Sequence, residues 1–170
     1  MNGAVHERGD GRKGSRTCGF PGHLRVRDAS PRERQSLAGL FAESAHSGWV
    51  AETLAAAGSM VLLVERFANG TWVPLGCAVT DVAGETALAL CPDDRRRGFA
   101  HEVLRAAIRV LREEPFTQLT ACLGPEHEGL AGIFARAGFA PAGSCLFGGQ
   151  PSTRYARNLR GDCTTYNVWI

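Results

Sequence analysis

The sequence predicts one α/β domain with a mixed, mostly antiparallel central sheet of about seven strands, flanked by about four helices. Three observations predict this class. The chain has 170 residues, a usual length for one domain. Short alternating or continuous apolar runs recur along it, which is typical of strands. Between them lie segments with apolar residues three or four positions apart. Such segments form amphipathic helices, so we expect helices on both faces of the sheet.

The first predicted strand follows a polar segment. Residues 1–22 are rich in Gly, Arg and Ser, and we expect them to be a disordered tail. The folded domain is then predicted over 23–170. It begins with His23–Asp28, where Leu24 and Val26 alternate with charged residues, as in a half-buried strand.

Two helices and three strands are predicted next. Ser30 followed by Pro31 is typical of a helix start, and the apolar spacing carries this helix to about residue 45. A second helix is predicted from Trp49 to Ala57. The three strands that follow are joined by short turns, so they are antiparallel neighbours; they are Met60–Val64, Val73–Val82 and Thr86–Cys91.

The second half alternates helix and strand. A long amphipathic helix is predicted between Gly98 and Pro115, because apolar residues mark one face and proline ends it. The remaining predicted elements are, in order, strand Phe116–Leu123, a helix ending at Gly138, strand Phe139–Phe147 and, after a polar loop, strand Thr164–Ile170.

The distribution of charge excludes some function classes. The net charge is +2, and residues 1–22 hold four basic and two acidic residues, so they account for all of it. A neutral folded body lacks the positive field that nucleic-acid binding needs, and we expect no nucleic-acid partner. No apolar run reaches the roughly 18 residues of a membrane span. Without a secretory signal, we expect a cytoplasmic protein with no membrane association.

The six cysteines do not predict a metal site. They are scattered, with no C-x-x-C pair and no clustered histidines, whereas structural zinc sites have closely spaced ligands. We therefore expect reduced thiols and no bound metal.

The junction at Arg95–Ala100 carries the clearest chemical signal. It joins a predicted strand to the long helix, and a helix N-terminus presents free N–H groups and partial positive charge. Gly98 and the small Ala100 would let an anion approach the backbone. Three consecutive arginines, Arg95 to Arg97, add cationic donors. Taken alone, this pattern is typical either of a phosphate-binding loop or of a solvated helix start; its position between a strand and a long amphipathic helix favours the phosphate-binding loop.

This junction resembles a known family signature. Leu90–Ala100, with Pro92, Arg95 and Gly98 at fixed spacing, is similar to the acetyl-CoA motif of the GNAT N-acetyltransferase superfamily, R/Q-x-x-G-x-G/A at a strand-to-helix step. A second block, Ile133–Phe139, is similar to the family's later element that ends in glycine-phenylalanine. The order of elements also resembles the family's over roughly 148 of 170 residues.

The resemblance implies an enzyme that uses acetyl-CoA as cosubstrate. The acceptor would be a primary amine of a small molecule or peptide, attacking the thioester directly. Backbone groups of Leu90 and Cys91 would bind the pantetheine arm, and amides across Arg96–Ala100 would hold the pyrophosphate. The implied cofactor-binding residues are Leu90, Cys91, Arg95, Arg96, Arg97, Gly98, Phe99, Ala100 and Phe134.

The catalytic residues are less well defined by the sequence. The family's usual tyrosine, a proton donor, is replaced by Phe134. His127 is our candidate acid or CoA contact, with an exposed histidine at a helix start as the alternative. Glu85 is the candidate base, although its spacing is one residue off and one residue changes face on a strand. Tyr155 and Tyr166 could also reach the site.

Two functions remain open at this point. The first is an active N-acetyltransferase. The second is a catalytically degenerate CoA-binding or interaction module on the same fold, which the missing tyrosine at Phe134 suggests. A homodimer is also open, because the predicted strand ending at Ile170 could pair with another subunit.

Overall fold

The computed structural model describes residues 17–20, 23–44 and 46–160. Its strands are β1 (Thr17–Phe20), β2 (Leu24–Asp28), β3 (Met60–Ala68), β4 (Thr71–Thr80), β5 (Thr86–Leu90), β6 (Gln118–Leu123), β7 (Ala140–Phe147) and β8 (Gln150–Asn158). Its helices are α1 (Pro31–Leu37), α2 (Ser47–Ala55), α3 (Ala100–Leu111) and α4 (Ala131–Arg136), with 3-10 helices at Ala38–Phe41, Pro92–Asp94 and Pro125–Leu130.

The strands form two antiparallel sheets. Five pair in the order β1-β2-β3-β4-β5, and three in the order β6-β8-β7. One parallel bridge, between Glu85 and Thr120, joins the two sheets. The α/β class, the mostly antiparallel pairing, the strand number of about seven and the four helices are confirmed. The strands fall into two sheets, which part where β5 and β6 diverge.

Helices cover both faces of the larger sheet, as predicted. Neighbouring residues of β3 point to opposite sides, so Leu62 and Val64 join one core cluster with α3, α4 and β6. Val61 and Leu63 join a second cluster with α1 and α2. The sheet therefore separates two apolar cores.

The start of α1 is fixed by a capping box. The Ser30 hydroxyl accepts from the Glu33 N–H at 3.3 Å, and the Glu33 carboxylate accepts from the Ser30 N–H at 2.8 Å. Glu33 also accepts two bonds from Arg27 of β2, and Arg27 contacts the buried Glu65 of β3. This polar network ties the first helix to the sheet.

Three predictions about the elements were wrong. The tail was predicted to be disordered through residue 22, but Thr17–Phe20 pairs with β2, because backbone pairing does not require an apolar pattern. The first helix ends at Leu37 rather than near 45 and tightens into a 3-10 helix that contains Gly39, a weak helix former. The segment after Gly149 is not a polar loop but β8.

The predicted strand Thr164–Ile170 lies outside the described residues. Among those described, no helix combines the length and apolar character needed to cross a membrane.

Candidate functional site

A pocket lies where β5 and β6 diverge. The strands contribute its two sides, and the helical segments before α2 and α4 contribute the rest. Its lining residues are Phe41, Ser44, His46, Thr86, Ala87, Leu88, Ala121, Cys122, Leu123, His127, Leu130 and Phe134. The two sheets therefore part around a space bordered by the segment before α2 and by α4.

The gap begins immediately after the bridge between the sheets. There the N–H of Thr120 donates to the carbonyl of Gly84 at 2.9 Å. Beyond this point the ladder of β5 runs along β4, from Thr86 to Leu90. The other edge of β5 has no strand partner there in the described ranges.

That free edge presents the backbone of Leu88 and Leu90. In an antiparallel ladder, every second residue exchanges both bonds with its neighbour strand. Glu85 and Cys91 bond to the β4 side, since the Glu85 carbonyl accepts from Asp81 and the Cys91 N–H donates to Leu75, both at 3.0 Å. By alternation, the N–H groups of Leu88 and Leu90 face the gap.

The backbone of Cys91 is already engaged. Besides the bond from its N–H to Leu75, its carbonyl accepts from the Asp94 N–H at 2.9 Å. Its one N–H donor is thus used within the sheet, and binding of a pantetheine arm by the Cys91 backbone stays a prediction. Leu88, which the sequence analysis did not select, offers the backbone groups instead.

The loop before α3 concentrates free backbone donors. In the described part of the chain, the N–H groups of residues 96–102 have no acceptor, and the first bonded one is that of Val103, to Phe99 at 2.9 Å. Arg96 (φ 61°) and Gly98 (φ 84°) adopt left-handed conformations, which helps turn successive N–H groups toward one concavity. A Cβ added at Gly98 would meet nothing within 4 Å. This open cluster fits a phosphate.

The three loop arginines have different surroundings. Arg95 is directed at the protein itself: its Nε lies 3.3 Å from the Leu90 carbonyl and its Nη2 3.4 Å from the Leu40 carbonyl. Arg96 and Arg97 are exposed. Arg95 therefore positions the end of β5, and its neighbours hold the surface charge.

A buried carboxylate anchors the loop from below. Oδ1 of Asp94 lies 3.3 Å from Nη2 of Arg66 and 3.5 Å from Nη1 of Arg97. Both guanidinium groups also lie over the Phe99 ring, at 5.9 and 5.7 Å. Phe99 is thereby fixed just before Ala100, the first residue of α3.

The candidate base Glu85 lies at the bridge between the sheets. Its carboxylate accepts a bond from the Thr120 hydroxyl at 2.6 Å, and the pocket lining begins one residue later, at Thr86. The charge of Glu85 still acts on His46, which lines the pocket. The role of Glu85 as a base stays a prediction.

His127 does line the pocket. It lies in the 3-10 helix before α4, with Nδ1 3.4 Å from Oε1 of Glu126. The role of His127 as an acid or as a CoA contact stays a prediction.

Phe134 closes the same pocket from α4 and is buried. Its ring contacts Phe139 at 5.1 Å and Tyr155 at 6.5 Å between centroids. The ring of Tyr155, on β8, therefore lies beside Phe134, the position at which the resemblance leads us to expect a tyrosine. Tyr166 lies outside the described residues.

Sequence analysis missed His46, which the fold brings into the pocket. Its Nε2–H donates to the carbonyl of Cys122 at 2.8 Å, and its ring lies 5.9 Å from that of His127. Burial lowers the pKa of His46 below its usual 6.5, and the nearby His127 acts in the same direction, while the bond to Cys122 opposes them. Nothing in the short polar segment around it distinguishes this histidine in the sequence.

The thiol of Cys122 is a poor nucleophile. Burial raises its pKa to about 12, helped by the hydrogen bond with Cys145, whose Sγ is 3.0 Å away. A protonated thiol at neutral pH does not attack a thioester well, since the thiolate is the reactive form. Cys122 is therefore not a candidate for a covalent acyl-enzyme nucleophile.

The structure places His46, Leu88, His127 and Phe134 in the lining of the pocket. Leu90 and Arg96–Ala100 lie outside that lining, at the end of β5 and in the loop and helix start that follow it. Glu85 is bonded to Thr120, the Cys91 N–H to Leu75 and the Arg95 side chain to two backbone carbonyls.

No protein-family model and no curated protein matches the chain in sequence, but solved structures match its fold. A chimera of spermidine N-acetyltransferase SpeG from Vibrio cholerae and hSSAT superposes with a TM-score of 0.64 at 12% identity, over 81% of this chain and 96% of that one. AAC(6')-Ib in complex with acetyl-CoA gives 0.59 at 16% identity, over 80% and 93%. The aminoglycoside acetyltransferase AAC(6')-Ib in complex with coenzyme A gives 0.59 at 16%, over 79% and 94%. The chain therefore has the fold of the GNAT N-acetyltransferases.

Proposed function

We propose that the protein is an N-acetyltransferase that transfers an acetyl group from acetyl-CoA to a primary amine of a small molecule or peptide. One observation carries this proposal. The free N–H groups of the loop before α3, the unpaired edge of β5 and the pocket between the sheets follow one another along the same strand end. A phosphate-bearing, extended and acyl-tipped molecule fits these three features in that order.

The loop would bind the pyrophosphate. Several backbone N–H groups from Arg96 to Ala100 are available without breaking any bond of the described chain. They lie at the start of a 12-residue helix, whose dipole favours an anion there. Because Gly98 has no side chain, a phosphate oxygen can come close to the loop backbone.

The edge of β5 would bind the pantetheine arm. Its amides can pair with Leu88 and Leu90 as an added strand would, since backbone groups of an edge strand are ready for such pairing. The thioester would then lie beside Leu88, within the pocket. Acetyl-CoA supplies the activated acetyl group, and the protein positions it against the amine.

The solved structures with this fold support the choice of ligand. AAC(6')-Ib is described in complex with acetyl-CoA and with coenzyme A. The related SpeG is a spermidine N-acetyltransferase, so amine acceptors occur on this fold. Binding of acetyl-CoA and acetylation of an amine by the present chain are our proposal.

The first experiment is a calorimetric titration of the protein with acetyl-CoA, repeated with Gly98→Trp. The indole would fill the space in front of the loop amides, so we expect the affinity to fall at least about 100-fold, which corresponds to about 2.7 kcal/mol. The matched control is Gly70→Trp. Gly70 also has a positive φ and open surroundings, but it lies in the turn between β3 and β4.

Equal losses in both variants would contradict the assignment of this loop. No binding of acetyl-CoA or coenzyme A by the unaltered protein would overturn the proposed function as a whole.

Phe134 favours a second candidate, a CoA-binding or interaction module without turnover. Its side chain has no proton to give to a leaving thiolate. This candidate predicts acetyl-CoA binding with no thiol release in the presence of a broad panel of primary amines. Thiol release with any one of those amines would exclude it.

A further inference from the structure

We propose that His46 is the general base that removes the proton from the attacking amine. This inference rests on the proposed acetyltransferase function and names a residue of the same site. His46 immediately precedes α2 and lines the pocket opposite α4. Three features of its surroundings carry the proposal.

The first feature is a fixed tautomer. A carbonyl oxygen can only accept, so the 2.8 Å contact with Cys122 requires that Nε2 of His46 carries the hydrogen. In the neutral ring, Nδ1 then holds the lone pair. This bond anchors the imidazole to β6, one of the two strands that bound the gap.

The second feature is a neutral ring. The charged groups that face His46 are His127 and Glu126 from the 3-10 helix before α4 and Glu85 from the start of β5. The carboxylates favour a charged imidazole, but burial and His127 outweigh them and lower the pKa of His46. A base must be unprotonated before it can act, and this environment keeps His46 so at neutral pH.

The third feature is support of the ring from its other side. The Phe147 ring lies 4.3 Å from that of His46, and Trp49 of α2 lies 5.9 Å from Phe147. These aromatic contacts restrict the imidazole to one orientation. A base held in one place is more effective than a mobile one, because its orientation is set before the reaction.

The proton balance of the step is simple. The amine nitrogen forms a bond to the acetyl carbonyl carbon, and the bond from that carbon to sulfur breaks, with its electron pair leaving on sulfur. The proton lost by the amine passes to Nδ1 of His46. The thiolate takes a proton from water, and His46 returns its proton to water. No oxidant or further reactant is needed.

Other candidates within the described residues fit the role less well. The carboxylate of Glu85 is bonded to Thr120 at the bridge. Nδ1 of His127 lies 3.4 Å from Oε1 of Glu126 but makes no hydrogen bond within the described residues, so this ring nitrogen is not held in place as Nε2 of His46 is. Cys122 is held as a thiol.

The test is His46→Gln with the amine that the unaltered protein acetylates best. The glutamine amide can keep the bond to the Cys122 carbonyl, because its NH₂ occupies about the position of Nε2, but it has no basic nitrogen. We expect kcat/KM at pH 7.5 to fall by about 100-fold or more. We also expect the decline of kcat/KM toward acid pH that begins below 6.5 to disappear, with unchanged affinity for acetyl-CoA.

The control is His23→Asn. His23 lies directly before β2 and outside the pocket lining, and asparagine tolerates its positive φ of 66°, so the pH profile should not change. If His46→Gln kept the rate and the acid decline, the role of His46 would be overturned while the proposed function stood. If the unaltered protein bound acetyl-CoA but acetylated no amine, both would be overturned.

A second readout does not depend on turnover. In nitrogen NMR spectra of the unaltered protein at pH 7, the His46 ring should be neutral with hydrogen on Nε2, and it should titrate below pH 6.5. A charged ring at pH 7, or hydrogen on Nδ1, would contradict the proposal.

Discussion

Phe134 lacks the hydroxyl of a tyrosine, and the two candidate functions differ in what that hydroxyl would contribute. Its ring is only 3% exposed and borders the pocket beside Tyr155. If the site works with His46 and solvent alone, a hydroxyl at this position adds little chemistry. If the site has decayed through loss of a tyrosine, the same hydroxyl should restore turnover.

We therefore predict that Phe134→Tyr changes kcat by less than about threefold and lowers the free energy of unfolding by about 1–2 kcal/mol, because a buried hydroxyl loses hydration. Thiol release and urea denaturation measure the two effects. Phe139→Tyr is the matched control, since Phe139 is equally buried but does not line the pocket. A tenfold or larger gain in kcat with Phe134→Tyr alone would favour the degenerate module.

At the scale of single residues, the sequence predicted what local chemistry determines. Gly98 and its arginine neighbours mark an anion loop because glycine permits a positive φ and a close approach wherever it occurs. His46 could not be found in this way. Its function depends on a carbonyl 76 positions along the chain, and no local pattern encodes that contact.

At the scale of elements, Gly84 controls how β5 leaves β6. It has a φ of 92°, and a Cβ there would lie 2.4 Å from the Gln118 carbonyl oxygen. A backbone atom cannot move away as a flexible side chain can. The bridge at which the two sheets meet therefore requires glycine for two separate reasons, conformation and space.

We predict that Gly84→Ala lowers the free energy of unfolding by about 3 kcal/mol or more, whereas Gly70→Ala costs about 1 kcal/mol. Gly70 shares the positive φ but has open surroundings, so the difference isolates the contact with Gln118. Urea denaturation of both variants measures it. Equal losses of unfolding free energy in Gly84→Ala and Gly70→Ala would show that the close contact with Gln118 does not affect stability.

Secondary-structure elements were likewise predicted where the signal is local in sequence and missed where it depends on distant contacts. The strand, loop and helix from Thr86 to Leu111 were predicted because amphipathic spacing and turn residues lie together in sequence. The strand β8 was not, since Pro151, Arg154 and Arg157 give no apolar alternation. It is formed by pairing with β6 on one side and β7 on the other, and this information lies elsewhere in the chain.

At the scale of the whole molecule, the polar network of α1, β2 and β3 makes stability depend on pH. Hydrogen bonds from Arg27 and Ser30 lower the pKa of Glu33 from 4.5 to about 2. Burial opposes ionisation of Glu65, but the bonds from Arg25 and Arg27 outweigh it and lower its pKa as well. Both carboxylates thus contribute stability above pH 4.5 that is lost as they become protonated. The lowered pKa of His46 adds a loss that begins below pH 6.5, because the folded state disfavours the charged ring.

We predict that the free energy of unfolding is highest near neutral pH, declines slightly below pH 6.5 and falls more steeply from pH 4.5 toward 2. Urea denaturation at a series of pH values measures this curve. Glu33→Gln should flatten the steep part, whereas Glu52→Gln, at an exposed position on α2, should leave it unchanged. A curve that rises on acidification would contradict the sign of these pKa shifts.

Within the described residues one backbone bridge, from Glu85 just before β5 to Thr120 of β6, joins the two sheets, and this has a mechanical consequence. Beyond that bridge the two sheets are held together by side-chain packing and not by backbone hydrogen bonds, so a molecule bound between β5 and β6 would add backbone bonds where the described chain has none. A cosubstrate that pairs with the β5 edge would therefore restrict the motion of the two sheets relative to each other. The amides of Leu88 and Leu90 should then exchange hydrogen slowly only when acetyl-CoA is bound. Without the acyl donor, the region between β5 and β6 would be the more flexible.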